Sequence, residues 1–241
     1  MAETRYRRVL LKISGESLCA PGAQGIDGGE LERLTAELKK VVDLGVQVAV
    51  VVGGGNLVRG HLIAKDSPIE ETTGHYMGML ATVINALAVQ DTLESMGVAT
   101  RVQSALTVAS VCEPFIRRRA IRHLEKGRVV IFAGGTGNPF VTTDTGAALR
   151  AAEIRAEVLM KATKVDGVYT ADPEQDPSAE RLEHVTYNEV IDQRLKVMDV
   201  SAVDLCQRAG IPIIVLDMKK PGNMSAVVQG HGTGTLIDGG T

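Results

Sequence analysis

Nine consecutive residues, Thr136-Gly137-Asn138-Pro139-Phe140-Val141-Thr142-Thr143-Asp144, carry more hydrogen-bonding chemistry than a chain connection needs. They offer three hydroxyls, an amide, a glycine, one aromatic face and one carboxylate. They follow an apolar run, Val129 to Ala133, that reads as a buried strand, and precede Thr145 to Ile154, which reads as a helix. A loop of this kind at the carboxyl end of a parallel strand is where open α/β folds bind ligands. The alternative is an ordinary strand-to-helix turn built on Gly-Asn-Pro, to which Thr136, Thr142, Thr143 and Asp144 would be superfluous.

Two further clusters have chemical content. Lys12-Ile13-Ser14-Gly15 ends an apolar strand. Lysine is costly to bury, and its ammonium could neutralise charge on a phosphoryl group in transit; the competing reading is a strand lysine that snorkels to solvent. Gly53-Gly54-Gly55-Asn56 follows a second strand, with Arg59 three residues on. Glycines let backbone N–H groups close on phosphate oxygens with no Cβ in the way, and arginine can grip phosphate with two donors; a tight strand-to-helix turn is the alternative. Lysine, triglycine with arginine, and a hydroxyl-rich loop together describe a site for two phosphorylated ligands end to end. Phosphoryl transfer needs that arrangement, in-line positioning plus positive charge with little covalent chemistry from the protein.

Other chemistries find no support. No Gly-Lys dipeptide occurs, so the phosphate-loop pattern is absent, as are H-E-x-x-H and G-x-S-x-G. The five histidines, His61, His75, His123, His184 and His231, lack metal-ligand spacing. Cys19, Cys112 and Cys206 are scattered, which suits reduced thiols better than disulfides or zinc.

The elements that must position these clusters alternate. Arg8 to Ile13 reads as a strand, Asp27-x-x-Glu30 as a capping box opening a helix through Leu31, Leu34, Leu38 and Val41, and Val46 to Val52 as a strand covered on both faces. Met77 to Leu93 reads as a long helix apolar on nearly all sides, suited to burial or a subunit interface. Strand Val98 to Val102, basic helix Glu113 to Lys126 and strand Arg128 to Ala133 follow. Beyond the polar loop come strand Glu157 to Lys161, a turn-rich stretch Asp166 to Arg181, a capping box at Thr186-x-x-Glu189, helix Val200 to Ala209 and strand Ile211 to Leu216. This order predicts an α/β fold, a three-layer α/β/α sandwich with a mostly parallel central sheet. With no repeat or flexible linker, residues 1–241 read as a single domain.

Composition agrees. The 241 residues are 44% hydrophobic and 23% charged, with 26 glycines, net charge −3 and a pI near 6.0, values of a globular protein with a sizeable core. Aromatic residues are 3% and tryptophan is absent, which argues against base stacking as a mode of nucleic-acid binding; no overall basic character points to nucleic acid. The basic start Arg5 to Arg8 with Val9-Leu10-Leu11 is cut short by Lys12, and no other run approaches a membrane span. The expected location is the cytoplasm.

The chain resembles the bacterial uridylate (UMP) kinases of the amino acid kinase superfamily across nearly its whole length. The resemblance rests on Lys12-Ile13-Ser14-Gly15-Glu16, Gly53-Gly54-Gly55-Asn56-x-x-Arg59-Gly60, Met77 to Thr82, Thr136 to Asp144, Lys161 to Tyr169 and Leu195 to Asp199. It implies transfer of the γ-phosphoryl of Mg·ATP to UMP. It implies that the loop Thr136 to Thr143 and Gly54 hold UMP, that Lys12, Ile13, Ser14, Gly15, Gly55 and Arg59 contact the ATP phosphates, and that Thr163, Tyr169 and Asp172 hold adenosine. Lys12 and Arg59 would act on transition-state charge, while Asp144 and Asp199 orient lysines and water rather than act as bases. It also implies an N-terminal acceptor lobe near residues 1–155, a C-terminal ATP lobe near 156–241, and a homo-hexamer. Asp91, Arg101 and Arg128 match positions through which GTP activates and UTP inhibits family members. One departure stands out: where the family commonly carries an aspartate on the acceptor ribose, this chain has His75, which could bind ribose hydroxyls or only pack. Other kinases of the superfamily, acting on a carboxylate or carbamate, and a nucleotide-binding storage or regulatory protein on the same fold, remain alternatives at this stage.

Overall fold

A computed structural model describes residues 3–171, 176, 178–195 and 197–240. Strand β1 (Arg8–Ile13) leads through a 3-10 turn, Gly15–Leu18, to α1 (Gly28–Asp43) and β2 (Gln47–Val52). Helix α2 (Gly60–Asp66) and the long α3 (Glu71–Ser95) precede β3 (Thr100–Ser104), β4 (Glu113–Pro114), α4 (Arg117–Glu125) and β5 (Val129–Ala133). Then come α5 (Thr143–Ile154), β6 (Val158–Thr163), the hairpin strands β7 (Val168–Tyr169) and β8 (Arg181–Leu182), β9 (His184–Thr186) and α6 (Tyr187–Asp192). Helix α7 (Val200–Ala209), β10 (Ile213–Asp217), α8 (Asn223–Val228) and β11 (Thr235–Asp238) complete the chain.

The main sheet runs β4-β3-β5-β2-β1-β6-β10-β11-β9. Every pairing in it is parallel except β10 with β11. Successive strand residues point to opposite faces, so β1 feeds two cores. Val9, Leu11 and Ile13 join α1, α3 and α8 on one side; Leu10 joins α4, α5 and α7 on the other. Each fully buried leucine contributes about 1.5–3 kcal/mol of transfer free energy. The three-layer, mostly parallel expectation therefore holds.

Several boundaries differ from the sequence reading, each for a local reason. The basic helix starts at Arg117, because Glu113 and Pro114 pair instead with Gln103 and Ser104 as an edge strand, where proline is tolerated. Helix α3 starts at Glu71, ahead of Met77; Gly74 on its added turn lets α2 cross at Gly60 with no Cβ between the two backbones. The capping box at Thr186 is complete in both directions. At Asp27 only half forms: its carboxylate accepts from the Glu30 N–H at 2.9 Å, while the Glu30 side chain pairs with Arg33. Helices α2 and α8, strand β11 and the β7–β8 hairpin had no sequence expectation.

Candidate active site

Lys12 of β1 and Lys161 of β6 are register partners in adjacent parallel strands, so both project from the same face at the carboxyl edge of the sheet. Two like charges placed opposite one another repel. Asp144, in the first turn of α5, resolves this by standing between them: its Oδ1 is 2.8 Å from Lys12 Nζ and its Oδ2 2.7 Å from Lys161 Nζ. Lys161 also donates to the Val197 carbonyl. Lys12 and Asp144 are each 9% exposed. Burial alone would raise the Asp144 pKa, but the two ammonium groups outweigh it and hold the carboxyl below its ordinary range. Burial pushes Lys161 down despite Asp144. The trio carries a net positive charge at the strand ends.

The triglycine after β2 divides its labour. A Cβ at Gly53 would stand 2.9 Å from the Gly15 nitrogen, and one at Gly54 2.6 Å from the Gly78 carbonyl of α3. Those two glycines let three backbones approach. A Cβ at Gly55 would meet nothing nearer than Arg59 Nε at 3.9 Å, so this glycine borders open space. The turn is pinned by a buried amide pair: Asn85 donates to Asn56 Oδ1 and to the Gly53 carbonyl, both at 2.7 Å, and Asn56 donates to the Gly25 carbonyl. Arg59 pairs with Glu16 beside Gly55, and Lys164 reaches the other Glu16 oxygen at 3.4 Å.

The loop after β5 departs from ordinary backbone. Gly134, Gly135 and Gly137 have φ of 72°, 55° and 83°, and Phe140 has φ 63°, a region costly for a residue with a Cβ. The Gly134 N–H donates to Thr82 Oγ1 of α3 at 2.7 Å, tying the loop's start to the triglycine's helix. At its other end Thr142 caps α5 by accepting from the Thr145 N–H, and donates its hydroxyl to Asp199 at the start of α7. Phe140 projects into solvent, 64% exposed, with its ring centroid 4.7 Å from that of His75 on α3. The His75 Nε2 atom is buried without a hydrogen bond, and the Glu71 carboxylate lies 3.7 Å away.

On the far side of β6 a cleft of about 450 Å³ is lined by Thr163, Gly167, Val168, Tyr169 and Leu195 among others. The Tyr169 hydroxyl donates to Asp166 at 2.6 Å. Thus Lys12 to Gly15, Gly54, Gly55, Arg59, His75, the Thr136–Asp144 loop, Thr163, Tyr169 and Asp199 all come from elements meeting at one sheet edge. Asp172 lies outside the described residues. Asp91, Arg101 and Arg128 stand apart, on α3 and at the opposite ends of β3 and β5; Arg101 pairs with Glu94 at 3.1 Å, and Arg128 bonds the His123 ring at 3.1 Å. Lys161, Glu16 and Lys164 were assigned no role from sequence. Lys161 carried the same signal as Lys12, a lysine closing an apolar strand.

Among the described residues no group of three or more His, Cys, Asp and Glu side chains is placed to hold a metal ion. A divalent cation would arrive on a nucleotide's phosphates, as magnesium commonly does.

A lysine pair, an open glycine turn and a hydroxyl-rich loop at the carboxyl ends of neighbouring strands define a phosphotransferase type of site on an α/β sheet. The sequence model of the amino acid kinase family matches residues 7–217, and the chain belongs to that family. Two of its relatives are uridylate kinases. That of Paramagnetospirillum magneticum is 55% identical over 236 residues, covering 98% of each chain. A chloroplastic uridylate kinase of Arabidopsis thaliana is 53% identical over 235 residues, covering 98% of this chain and 69% of that one. The crystal structure of UMP kinase from Bacillus anthracis matches with a TM-score of 0.95 at 38% identity, over 98% of this chain and 97% of that one. The chain is a member of the uridylate kinase family.

Proposed function

We propose that this protein transfers the γ-phosphoryl group of Mg·ATP to UMP, giving UDP and ADP, as a step of pyrimidine nucleotide synthesis. The observation that carries the reading is the Lys12–Asp144–Lys161 trio, its lysines on the two strands next in the sheet to the one that bears the glycine turn, and joined to the polar loop through Asp144. A UMP phosphate oxygen attacks the γ-phosphorus, the bond to the β,γ-bridging oxygen breaks, and ADP leaves with that electron pair. A phosphate monoester has a second pKa near 6, so the nucleophile is already ionised at neutral pH and no general base is required. That agrees with Asp144, whose two oxygens each stand at ion-pair distance from a lysine. Lys12 neutralises charge on the transferring group, Lys161 stands beside it, and Asp144 holds both at fixed positions so that no reorganisation is needed during reaction. Arg59, with Gly55 and the segment Ile13 to Gly15, steadies the ATP phosphates; Thr163, Tyr169 and Asp172 border adenosine. Gly54 and the loop Thr136 to Thr143 hold UMP, and Asp199 acts through Thr142 on that loop. Residues 1–155 then form the acceptor lobe and 156–241 the ATP lobe.

Tyr76, Leu80 and Ile84 form an exposed apolar stripe along α3, at 41%, 47% and 53% exposure. Apolar side chains four residues apart on one helix face suit a subunit interface, which supports assembly through α3 into a homo-hexamer. Asp91, Arg101 and Arg128 are the residues for GTP activation and UTP inhibition. No helix among the described residues is long and apolar enough to cross a membrane, and the cytoplasm is the proposed location.

Steady-state ADP release with UMP, CMP and dUMP, with and without GTP and UTP, tests the reading; no ADP with any acceptor would overturn it. The unbonded His75 Nε2 beside Phe140 supports a ribose contact. His75→Ala then raises the KM for UMP several-fold and leaves that for ATP unchanged; an unchanged UMP constant would remove His75 from the site.

A further inference from the structure

A second cavity, of about 530 Å³, opens between α8, the turn Gly230–Gly234, strands β10 and β11, and the residues before β1. It lies within the size range of small-molecule sites. Its cationic groups are Arg5 and Arg181, against one acid, Glu183, which faces solvent. Arg5 rests over the Tyr6 ring, 5.5 Å from its centroid, and takes part in none of the ion pairs formed among the described residues. Arg181 donates to the Gly234 carbonyl at 2.9 Å, and its Nε stands 3.7 Å from Asp166, a long ion pair. Ile214 and Val227 supply an apolar floor. Gly234 lets this wall pack directly on β10, since a Cβ there would strike the Val215 carbonyl at 2.7 Å.

Two arginines with unspent donors over an apolar floor match an oxyanion joined to a larger apolar or planar body. We propose that this cavity binds a phosphate-bearing metabolite of about nucleotide size, with Arg5 and Arg181 on its phosphate. The cavity adjoins the cleft proposed for adenosine. A Cβ on Gly167, in the cleft wall, would lie 3.1 Å from Arg181 Cγ and Cδ. The Val168 N–H donates to Thr235 Oγ1, next to Gly234, at 2.8 Å. Asp166, the distant partner of Arg181, is also the acceptor for Tyr169. A phosphate that draws Arg181 inward weakens its pull on Asp166 and shifts the Tyr169 wall of the cleft. Occupancy therefore changes ATP affinity; this coupling rests on the proposed function, whereas the binding does not.

Pyrophosphate serves as the headgroup probe. Calorimetric titration of the full chain is expected to reveal one site more than the same titration of Arg5→Glu, since pyrophosphate bound at the strand ends is common to both proteins. Arg5→Ala should weaken it at least tenfold, and Arg5→Glu should abolish it, with unchanged melting temperatures confirming the fold. No heat in the unsubstituted protein, or equal binding by Arg5→Glu, would overturn the site. At constant free magnesium, pyrophosphate should shift the KM for ATP at least twofold in the unsubstituted protein more than in Arg5→Glu. Equal shifts in both proteins would overturn the coupling, and loss of the kinase reading would leave the calorimetric result standing.

Discussion

Asp144→Asn isolates the electrostatics of the site. At 2.8 and 2.7 Å, each lysine attracts the carboxylate by about 6 kcal/mol at an effective dielectric of about 20, before desolvation is counted. Removing one member of a buried ion pair typically costs about 3–5 kcal/mol, because the remaining charge is left uncompensated. Here two ammonium groups would be left facing each other. For a chain of this size 1 kcal/mol moves the melting temperature by about 2–4 °C, so the variant should melt about 6–20 °C lower at pH 7.5. The deficit must also depend on pH. Burial already pushes Lys161 down, and without Asp144 the folded-state pKa falls further below the unfolded value of 10.5. Between those two values the unfolded chain binds more protons, so the variant gains stability as pH rises. In the unsubstituted protein the sign is the same at the acid end. The Asp144 pKa is lowered from 3.8, so its contribution is complete above that value and is lost as pH falls through the folded-state pKa. Urea denaturation of both proteins at pH 7.5 and pH 9.5 measures the difference. A deficit under 1 kcal/mol, or one of equal size at both pH values, would refute the account of Asp144 as the charge that holds two lysines together.

The other expectations are narrower. Lys12→Ala should lower kcat by about 10²–10³-fold, the usual cost of one transition-state donor, with a much smaller change in the KM for UMP; a change confined to KM would reassign Lys12 to ground-state binding. Thr142→Val removes both the α5 cap and the bond to Asp199, and should cost about 1 kcal/mol in denaturant stability together with a raised KM for UMP. Burial pushes the Cys206 thiol up to about 12, so Cys206 should resist a thiol-specific reagent at pH 8 until the protein unfolds, as peptide mapping of the labelled protein would read; rapid native labelling would contradict its burial.

The layers of the fold were legible because the strands flanking the site are short, almost wholly apolar runs, whereas the segments between them carry helix caps or apolar residues at helical spacing. Residues 46–52 and 129–133 could only be strands covered on both faces, and Gly45, Gly127 and Gly210 ended helices as left-handed residues at φ 82°, 70° and 65°. What escaped was set by tertiary contact rather than local pattern. Helix α2 is only seven residues long and starts at a glycine, and its place depends on the Gly60–Gly74 crossing. Strand β4 has two residues, and a helical reading of the arginine-rich segment covers it naturally. Strand β11 runs antiparallel to β10, and no short-range signal separates that from another parallel crossover.

The same distinction explains how the site itself divides. Lys12 and Lys161 look alike in sequence, each a cation closing an apolar strand, and nothing local says that they are partners. Their pairing follows from β1 and β6 being neighbours in register, although 149 positions separate the two residues. Once they are neighbours, a carboxylate between them becomes obligatory, and the capped first turn of α5 supplies it. Asp144, which the family resemblance assigns to orienting lysines rather than to acting as a base, stands in the structure as a spacer between two cations. The triglycine divides in a similar way. All three residues invite a phosphate reading, yet only Gly55 leaves its missing side chain's place open, to a hollow it shares with Glu16, Arg59 and Lys164; Gly53 and Gly54 give theirs to backbone contact with Gly15 and α3. A glycine-rich strand end thus combines a ligand signal with a packing signal, and only the contacts at each Cβ position separate the two.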